Sequence, residues 1–318
     1  MPAVLITGAD LAPQALELLR KFQIVYAGKA PDEDDLVRLA EQHQPVAIIV
    51  RYGRVPARVM DASRNLRVIA KHGAGIDTID VEAAKERGIA VRAAVAANAD
   101  AVAEHTWALI LAAAKGIVRL DARMHSGHWD KATHKSLELR GKTLGVVGLG
   151  AIGARVARVG LAFGMKVLAF DPFATAPAGD VGLVSLDQLL ADAHVISLNC
   201  PLTDDNRHLV NRTTLAKMRH GVILVNTGRG GLVDDAALLE ALAAGKVRAA
   251  GLDSFTPEPL VGDHHYRDAA NAILTPHVGG VSEDAYVNMG LGAARNVLEV
   301  LATESVPVES GHSRTAGA

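Results

Sequence analysis

The sequence predicts an α/β protein made of two doubly wound parallel-sheet domains. Two observations carry this reading. Short β-branched runs alternate with longer Ala/Leu-rich periodic segments, and they do so in two successive series. Strands interleaved with amphipathic helices form βαβ units, and such units assemble into parallel sheets. A chain of 318 residues has room for about two such domains.

In the first series, strands are expected at residues 4–7, 24–26, 47–50, 68–71 and 90–92, with helices such as 12–21 and 34–42 in the gaps. A long apolar helix is expected over 101–123, bridging the two series. Strands then follow at 144–147, 167–170, 195–198, 222–226, 249–253 and 273–275. Six strands with crossover helices is the count of a dinucleotide-binding sheet. The last helix, near 283–302, places Met289, Ala293, Val297 and Leu301 at helical spacing, and periodicity alone lets it pack on either domain. The Ser/Gly-rich tail 304–318 is expected to fray.

Composition narrows the function. Hydrophobic residues at 49% and charged residues at 21% supply sizeable cores, which excludes global disorder. A net charge of −2 without a basic block, and only 3% aromatics, suggest neither a nucleic-acid nor a membrane partner. Cys200 is the single cysteine, so no internal disulfide or Cys-rich zinc site is expected, no metal is called for, and the compartment reads as reducing and cytoplasmic. The first ten residues lack the basic region of a signal peptide. The longest apolar stretch, 107–114, is far short of the ~18 residues that suggest a membrane span.

The segment Thr143-Leu-Gly-Val-Val-Gly-Leu-Gly-Ala-Ile-Gly153 sets G-x-G-x-x-G after an apolar strand and before an Ala/Arg/Val helix. Gly148 permits the tight turn, Gly150 lets a pyrophosphate approach the backbone, and Gly153 lets helix and strand pack closely. The helix N-terminus then offers free N–H groups to the phosphates. Asp171 follows Gly153 by 18 residues at the end of the next strand, where a carboxylate accepts from the ribose hydroxyls and repels a 2′-phosphate. NAD is therefore the expected cofactor, in a Rossmann domain.

Three polar residues sit just beyond late strand ends: Arg229 in Asn-Thr-Gly-Arg-Gly-Gly, Glu258 in Asp-Ser-Phe-Thr-Pro-Glu-Pro, and His277 in Thr-Pro-His-Val-Gly-Gly. Taken singly, each reads equally well as a solvated loop residue, His277 being one of 13 histidines. Taken together on consecutive strand ends, where open α/β sheets bind ligands, they form a kit for carbonyl reduction. A guanidinium fork clamps a carboxylate, an imidazolium gives a proton, and a glutamate favours its charged form.

Over residues 47–292 the chain resembles the D-isomer-specific 2-hydroxyacid dehydrogenases, and within them the phosphoglycerate-dehydrogenase-like branch. The resemblance rests on Gly73-Ala-Gly-Ile-Asp-Thr-Ile-Asp80, Asn98 through Val102-Ala-Glu-His105, the glycine-rich turn, Asn226-Thr-Gly-Arg-Gly-Gly-Leu-Val-Asp234, Gly251-Leu-Asp-Ser-Phe-Thr-Pro-Glu-Pro259 and Thr275-Pro-His-Val-Gly-Gly280. Asn199 stands where the family often has His, and Ala101 where it often has Ser.

The resemblance implies that Arg229 binds the substrate's carboxylate and carbonyl, His277 is the acid/base and Glu258 its partner. It implies that the backbone of Gly73, Ala74 and Gly75 cradles the carboxylate, with Ala74 also near the nicotinamide. For the cofactor it implies Gly148, Gly150, Ala151, Ile152 and Gly153 at the pyrophosphate and Asp171 at the ribose. Cys200, Pro201, Thr227, Gly228, Arg229, Asp253, His277, Gly279 and Gly280 would line the rest of the groove. Cys200 reads as a groove-lining residue and not a nucleophile, since no adjacent base activates it.

The resemblance further implies a discontinuous, flavodoxin-like substrate domain, 1–98 plus 284–318, an NAD-binding domain, 99–283, and a homodimer through the latter. Arg51 aligns with a family position where arginine contacts the substrate's distal anionic group, which suits 3-phosphoglycerate. Glyoxylate or hydroxypyruvate reduction is the alternative, and a non-catalytic NADH-sensing corepressor a further one. Glu258 separates the chain from formate dehydrogenases of the same fold, which carry Gln there. The chain ends without the C-terminal domain of many biosynthetic phosphoglycerate dehydrogenases, so feedback through such a domain is not expected.

Overall fold

The computed structural model describes residues 1–174 and 179–303, so the tail expected to fray lies outside the described residues. The chain forms two compact units: Met1–Asn98 with the stretch from Glu283, and Ala99–Ser282.

The first unit holds β1 (Ala3–Ile6), β2 (Gln23–Tyr26), β3 (Ala47–Val50), β4 (Val68–Lys71) and β5 (Ala90–Ala93). All pair in parallel in the order β2-β1-β3-β4-β5. That is the flavodoxin-like order. Residues in β1 and β3 are buried throughout because both faces of the sheet are covered. Leu5, Ile48, Val50 and Ile69 fill one face, while Val4, Ile6, Ile49, Val68 and Ala70 fill the other. Helix Glu283–Thr303 lays Ala293, Ala294 and Val297 on the second face, which settles where the last helix packs. Small residues permit a close approach: a Cβ on Gly290 would lie 3.3 Å from those of Ala12 and Ala15.

The second unit holds β6 (Thr143–Val147), β7 (Lys166–Phe170), β8 (Val181–Leu183), β9 (Val195–Leu198), β10 (Val222–Asn226), β11 (Val247–Leu252) and β12 (Ala272–Leu274). Their order is β12-β11-β10-β9-β6-β7-β8, parallel throughout. Read from β6 outward, this is the doubly wound dinucleotide-binding order with one strand added at the β12 edge. The sheet therefore has seven strands where six are expected. The strand that the sequence does not announce is β8, at the edge opposite β12, whose Val-Gly-Leu carries glycine at the centre and two exposed residues in place of a continuous apolar run.

The single bridging helix expected over 101–123 is instead two, Ala99–Lys115 and Ile117–His125, meeting at 63°. Gly116 lies between them at φ 65°, a left-handed backbone that ends a helix without the strain a side chain would add. Apolar residues resume at Ile117 and Val118 directly after the break, which hid it. The first of the two helices is buried in the second unit, where Trp107 donates to the Val156 carbonyl at 3.1 Å. Among the described residues, no single helix is long and apolar enough to cross a membrane.

Candidate active site

Because every strand of the second unit is parallel, all carboxyl ends gather on one edge. Strands β10, β11 and β12 are immediate neighbours, so the loops carrying Arg229, Glu258 and His277 emerge side by side. The first two loops touch: a Cβ on Gly230 would fall 2.1 Å from the Phe255 carbonyl carbon, which only glycine allows.

His277 Nδ1 lies 2.8 Å from Glu258 Oε2, and Glu258 Oε1 accepts from the Phe255 amide at 2.8 Å. The hydrogen bond to Glu258 raises the His277 pKa above its ordinary value against the opposing effect of burial. Burial pushes Glu258 up, but the bonds from His277 and the Phe255 amide outweigh it and hold the carboxyl low. Arg229 is near enough for its charge to lower the pKa of both partners. The pair is solvent-accessible, with side chains 47% and 35% exposed, so a ligand can reach it.

The backbone of His277 sits at φ 55°, a left-handed conformation unusual outside glycine. Such a conformation persists only where its surroundings impose it. Here the surroundings are Asp253, almost wholly buried at the end of β11. Its Oδ1 accepts from Thr275 Oγ1 at 2.6 Å and from the Val278 amide at 2.9 Å, while Oδ2 accepts from the Gly279 amide at 2.8 Å. His105 Nε2 stands 2.9 Å from Thr275 Oγ1 and 3.4 Å from Asp253 Oδ1. The Arg229 loop is braced in the same manner. Buried Asn226 donates from Nδ2 to the Arg229 carbonyl at 2.9 Å and accepts at Oδ1 from the Gly228 amide at 3.0 Å. The sequence does not announce the bracing roles of His105, Asn226, Asp253 and Thr275; the last three show only as polar residues at apolar strand ends, and His105 only as a polar residue within an apolar helix.

The glycine-rich turn lies between β6 and helix Ala151–Ala162. Gly148 has φ 89°, and a Cβ there would meet the Cys200 amide nitrogen at 2.8 Å. A Cβ on Gly153 would fall 1.9 Å from the Gly148 carbonyl oxygen, whereas one on Gly150 would meet nothing within 4 Å. Close packing at the first and last glycines with open space at the middle one is what a pyrophosphate needs. Ala151 and Ile152 begin the helix, whose first amides face the turn without intrahelical partners.

Asp171 directly follows β7, its carboxylate accepting from Leu149 N at 2.7 Å and Phe173 N at 2.9 Å, which fixes it beside the turn. Cys200 and exposed Pro201 follow β9. A Cβ on Gly228 would lie 3.0 Å from the Cys200 carbonyl oxygen, and Thr227 Oγ1 lies 2.8 Å from Thr106 Oγ1. Burial pushes the Cys200 thiol up, away from a reactive thiolate. These residues fit a dinucleotide.

In the first unit, Gly73 follows β4 at φ 132° and Ala74 beside it is exposed. Arg51 follows β3 and is bonded to Asp10.

A family model described as "D-isomer specific 2-hydroxyacid dehydrogenase, NAD binding domain" matches residues 107–279. The chain is 39% identical to a hydroxypyruvate reductase of Thermotoga maritima over 89% of this chain and 93% of that one. It is 42% identical to a D-3-phosphoglycerate dehydrogenase of Mycobacterium tuberculosis over 96% of this chain, but spans only 58% of that longer protein. Its backbone superposes on D-lactate dehydrogenase from Aquifex aeolicus, solved with NAD and lactic acid, with a TM-score of 0.81 at 30% identity, covering 95% of this chain and 96% of that one. The match over more than half the chain, on a fold with that strand order and that glycine-rich turn, shows that the protein is an NAD-dependent enzyme belonging to the D-isomer specific 2-hydroxyacid dehydrogenases.

Proposed function

We propose that the protein interconverts a short D-2-hydroxy acid and its 2-oxo acid, with His277, Glu258 and Arg229 as the catalytic residues. The observation that carries this is the 2.8 Å His277–Glu258 bond within the field of Arg229 at adjoining strand ends. The chemistry that bound NAD supplies is hydride exchange at C2 of the substrate. In reduction, protonated His277 gives its proton to the C2 oxygen as charge develops there; in oxidation, neutral His277 removes the hydroxyl proton. Glu258 holds the ring through Nδ1, leaving Nε2 for the substrate, and stabilises the imidazolium. Arg229 binds the substrate carboxylate and opposes charge on the C2 oxygen. In the first unit, Gly73, Ala74 and Gly75 are the proposed substrate-binding residues, through their backbone amides. Asp253, Gly279 and Gly280 keep the His277 turn in place, and Thr227, Gly228, Cys200 and Pro201 line the dinucleotide groove with Asp171 at the ribose.

Two substrate readings are open at the distal end. The 3-phosphoglycerate type is supported by Arg51 at a strand end and by the mycobacterial relative; the hydroxypyruvate or glyoxylate type is supported by the Thermotoga relative, nearly all of whose length is matched. A homodimer is part of this reading. Helix Ile117–His125 buries none of its residues, and Ile117, Val118 and Met124 are each 52% exposed, with Trp129 at 74%. An apolar patch of this kind suits a second copy of the chain. A cytoplasmic location is proposed with it.

The deciding experiment follows NADH absorbance with glyoxylate, hydroxypyruvate and phosphohydroxypyruvate for the wild type and His277→Ala. Turnover that the variant reduces by about two orders of magnitude or more supports the assignment, whereas near-normal turnover in the variant removes His277 from it.

A further inference from the structure

Glu258 stands on the loop 253–271 between β11 and β12, which is built of turns and irregular backbone. A residue on so long a loop keeps a fixed position only where side chains tie the loop down. Tyr266 does this, and it is the largest fully buried side chain among the described residues.

The Tyr266 hydroxyl donates to Asp235 Oδ1 at 2.7 Å, and His265 Nε2 stands 3.1 Å from Asp235 Oδ2. Asp235 opens helix Asp235–Ala243, shortly after the Arg229 loop. The cap of that helix is Asp234, which accepts the Ala237 amide at 3.1 Å, so the neighbouring Asp235 carboxylate serves the loop instead.

From Tyr266 a line of contacts leads to the imidazole. Its ring meets that of Phe255 edge-on, 6.3 Å between centres. The Phe255 amide donates to Glu258 Oε1 and Glu258 Oε2 holds His277 Nδ1, each at 2.8 Å. Gly230 packs against the Phe255 backbone from the Arg229 side.

A phenylalanine at 266 would fill the same space. The hydroxyl adds direction, because a bond to a carboxylate is short, oriented and about twice as strong as one between neutral groups. Burial and the bond to Asp235 push the Tyr266 hydroxyl up, so it remains a donor at neutral pH and well above.

We propose that Tyr266 and Asp235 are positioning residues: their bond ties the loop to the segment leaving Arg229 and so keeps Glu258 in register with His277. The effect on turnover rests on the catalytic reading above, whereas the effect on the imidazole does not.

The test follows the His277 titration by NMR in the full chain with ring-labelled histidine, the signal being assigned by its loss in His277→Ala. Kinetics with NADH and hydroxypyruvate run alongside. Tyr266→Phe alters no charge and leaves in place Arg229 and Asp253, the other charges that bear on His277, so a displaced midpoint must come through position. It is expected to lower the midpoint by about half a pH unit or more, and kcat by about fivefold or more, with KM for NADH within about twofold. Asp235→Ala should lower the midpoint likewise from the helix side. Asp235→Asn keeps an oxygen that accepts the hydroxyl and should retain the wild-type midpoint. In a Glu258→Gln background Tyr266→Phe should move the midpoint no further.

An unchanged midpoint in Tyr266→Phe overturns the proposal, as does a further shift in the Glu258→Gln background or an Asp235→Asn midpoint as low as that of Asp235→Ala. A lowered midpoint with unchanged kcat keeps the positioning role and removes the His277–Glu258 pair from catalysis. If no 2-oxo acid is turned over, the midpoints alone decide.

Discussion

The Asp253 carboxylate accepts the Gly279 amide at 2.8 Å, and with the bonds from Thr275 and Val278 this fixes the turn on which His277 stands. The residue that positions the imidazole is thus a buried acid on a neighbouring strand end, 24 positions earlier in the chain. Replacing it leaves buried donors without an acceptor. Asp253→Ala is expected to cost about 1–3 kcal/mol of stability and to lower turnover more than it weakens NADH binding. Denaturant unfolding, NADH titration and steady-state kinetics on the purified variant check this, and an unchanged kcat would remove the positioning role.

The pH dependence follows from the sign of the His277 shift. The bond to Glu258 raises its pKa, so reduction, which needs the protonated ring, is expected to persist at low pH and to fall as pH rises through the raised value. Oxidation is expected to rise through the same value. Glu258→Gln removes the charge that favours the imidazolium, so both limbs should move to lower pH. Rate–pH profiles in each direction measure the displacement, and limbs that stay in place argue that the pair does not set them.

Gly153→Ala tests the dinucleotide turn. The added Cβ would fall 1.9 Å from the Gly148 carbonyl oxygen, so backbone must shift where the phosphates approach. NADH affinity should fall about tenfold or more, read by fluorescence titration, even in protein that retains its fold by circular dichroism.

Acid stability offers a test in the first unit. Burial, aided by Arg51, lowers the His72 pKa to about 4 from 6.5, and among the described residues its Nε2 has no hydrogen-bond partner. Above pH 6.5 the ring is neutral in both the folded and unfolded chain, so it contributes no pH dependence. As pH falls from 6.5 toward about 4, the unfolded chain takes up a proton that the folded chain refuses. The expected loss is up to about 3 kcal/mol, and His72→Asn should flatten that part of the stability profile. Urea midpoints measured between pH 7 and pH 4 give the comparison.

Oligomeric state tests the exposed apolar face of the second unit. Val118→Asp and Trp129→Asp each place a charge among exposed apolar side chains, and sedimentation is expected to move from dimer toward monomer. A wild-type monomer at micromolar concentration would discard the interface.

The α/β class, eleven of the strands and the glycine-rich turn were legible in the sequence because each is a local signal. A buried parallel strand needs a continuous apolar run, and a phosphate turn needs glycine at fixed spacing. Arg229, Glu258 and His277 were legible as strand-end residues for the same reason. β8 was not, since glycine at its centre interrupts the apolar run, and the break at Gly116 was masked by apolar residues on both sides.

What only the tertiary structure decided is pairing at a distance. Strand order, set by which apolar faces bury one another, brings Asp253 under the His277 turn, Asn226 under the Arg229 loop and Asp10 against Arg51. A carboxylate's role depends on which donors lie within 3 Å of it. Neither composition nor spacing contains that distance; it exists only once the sheets have assembled.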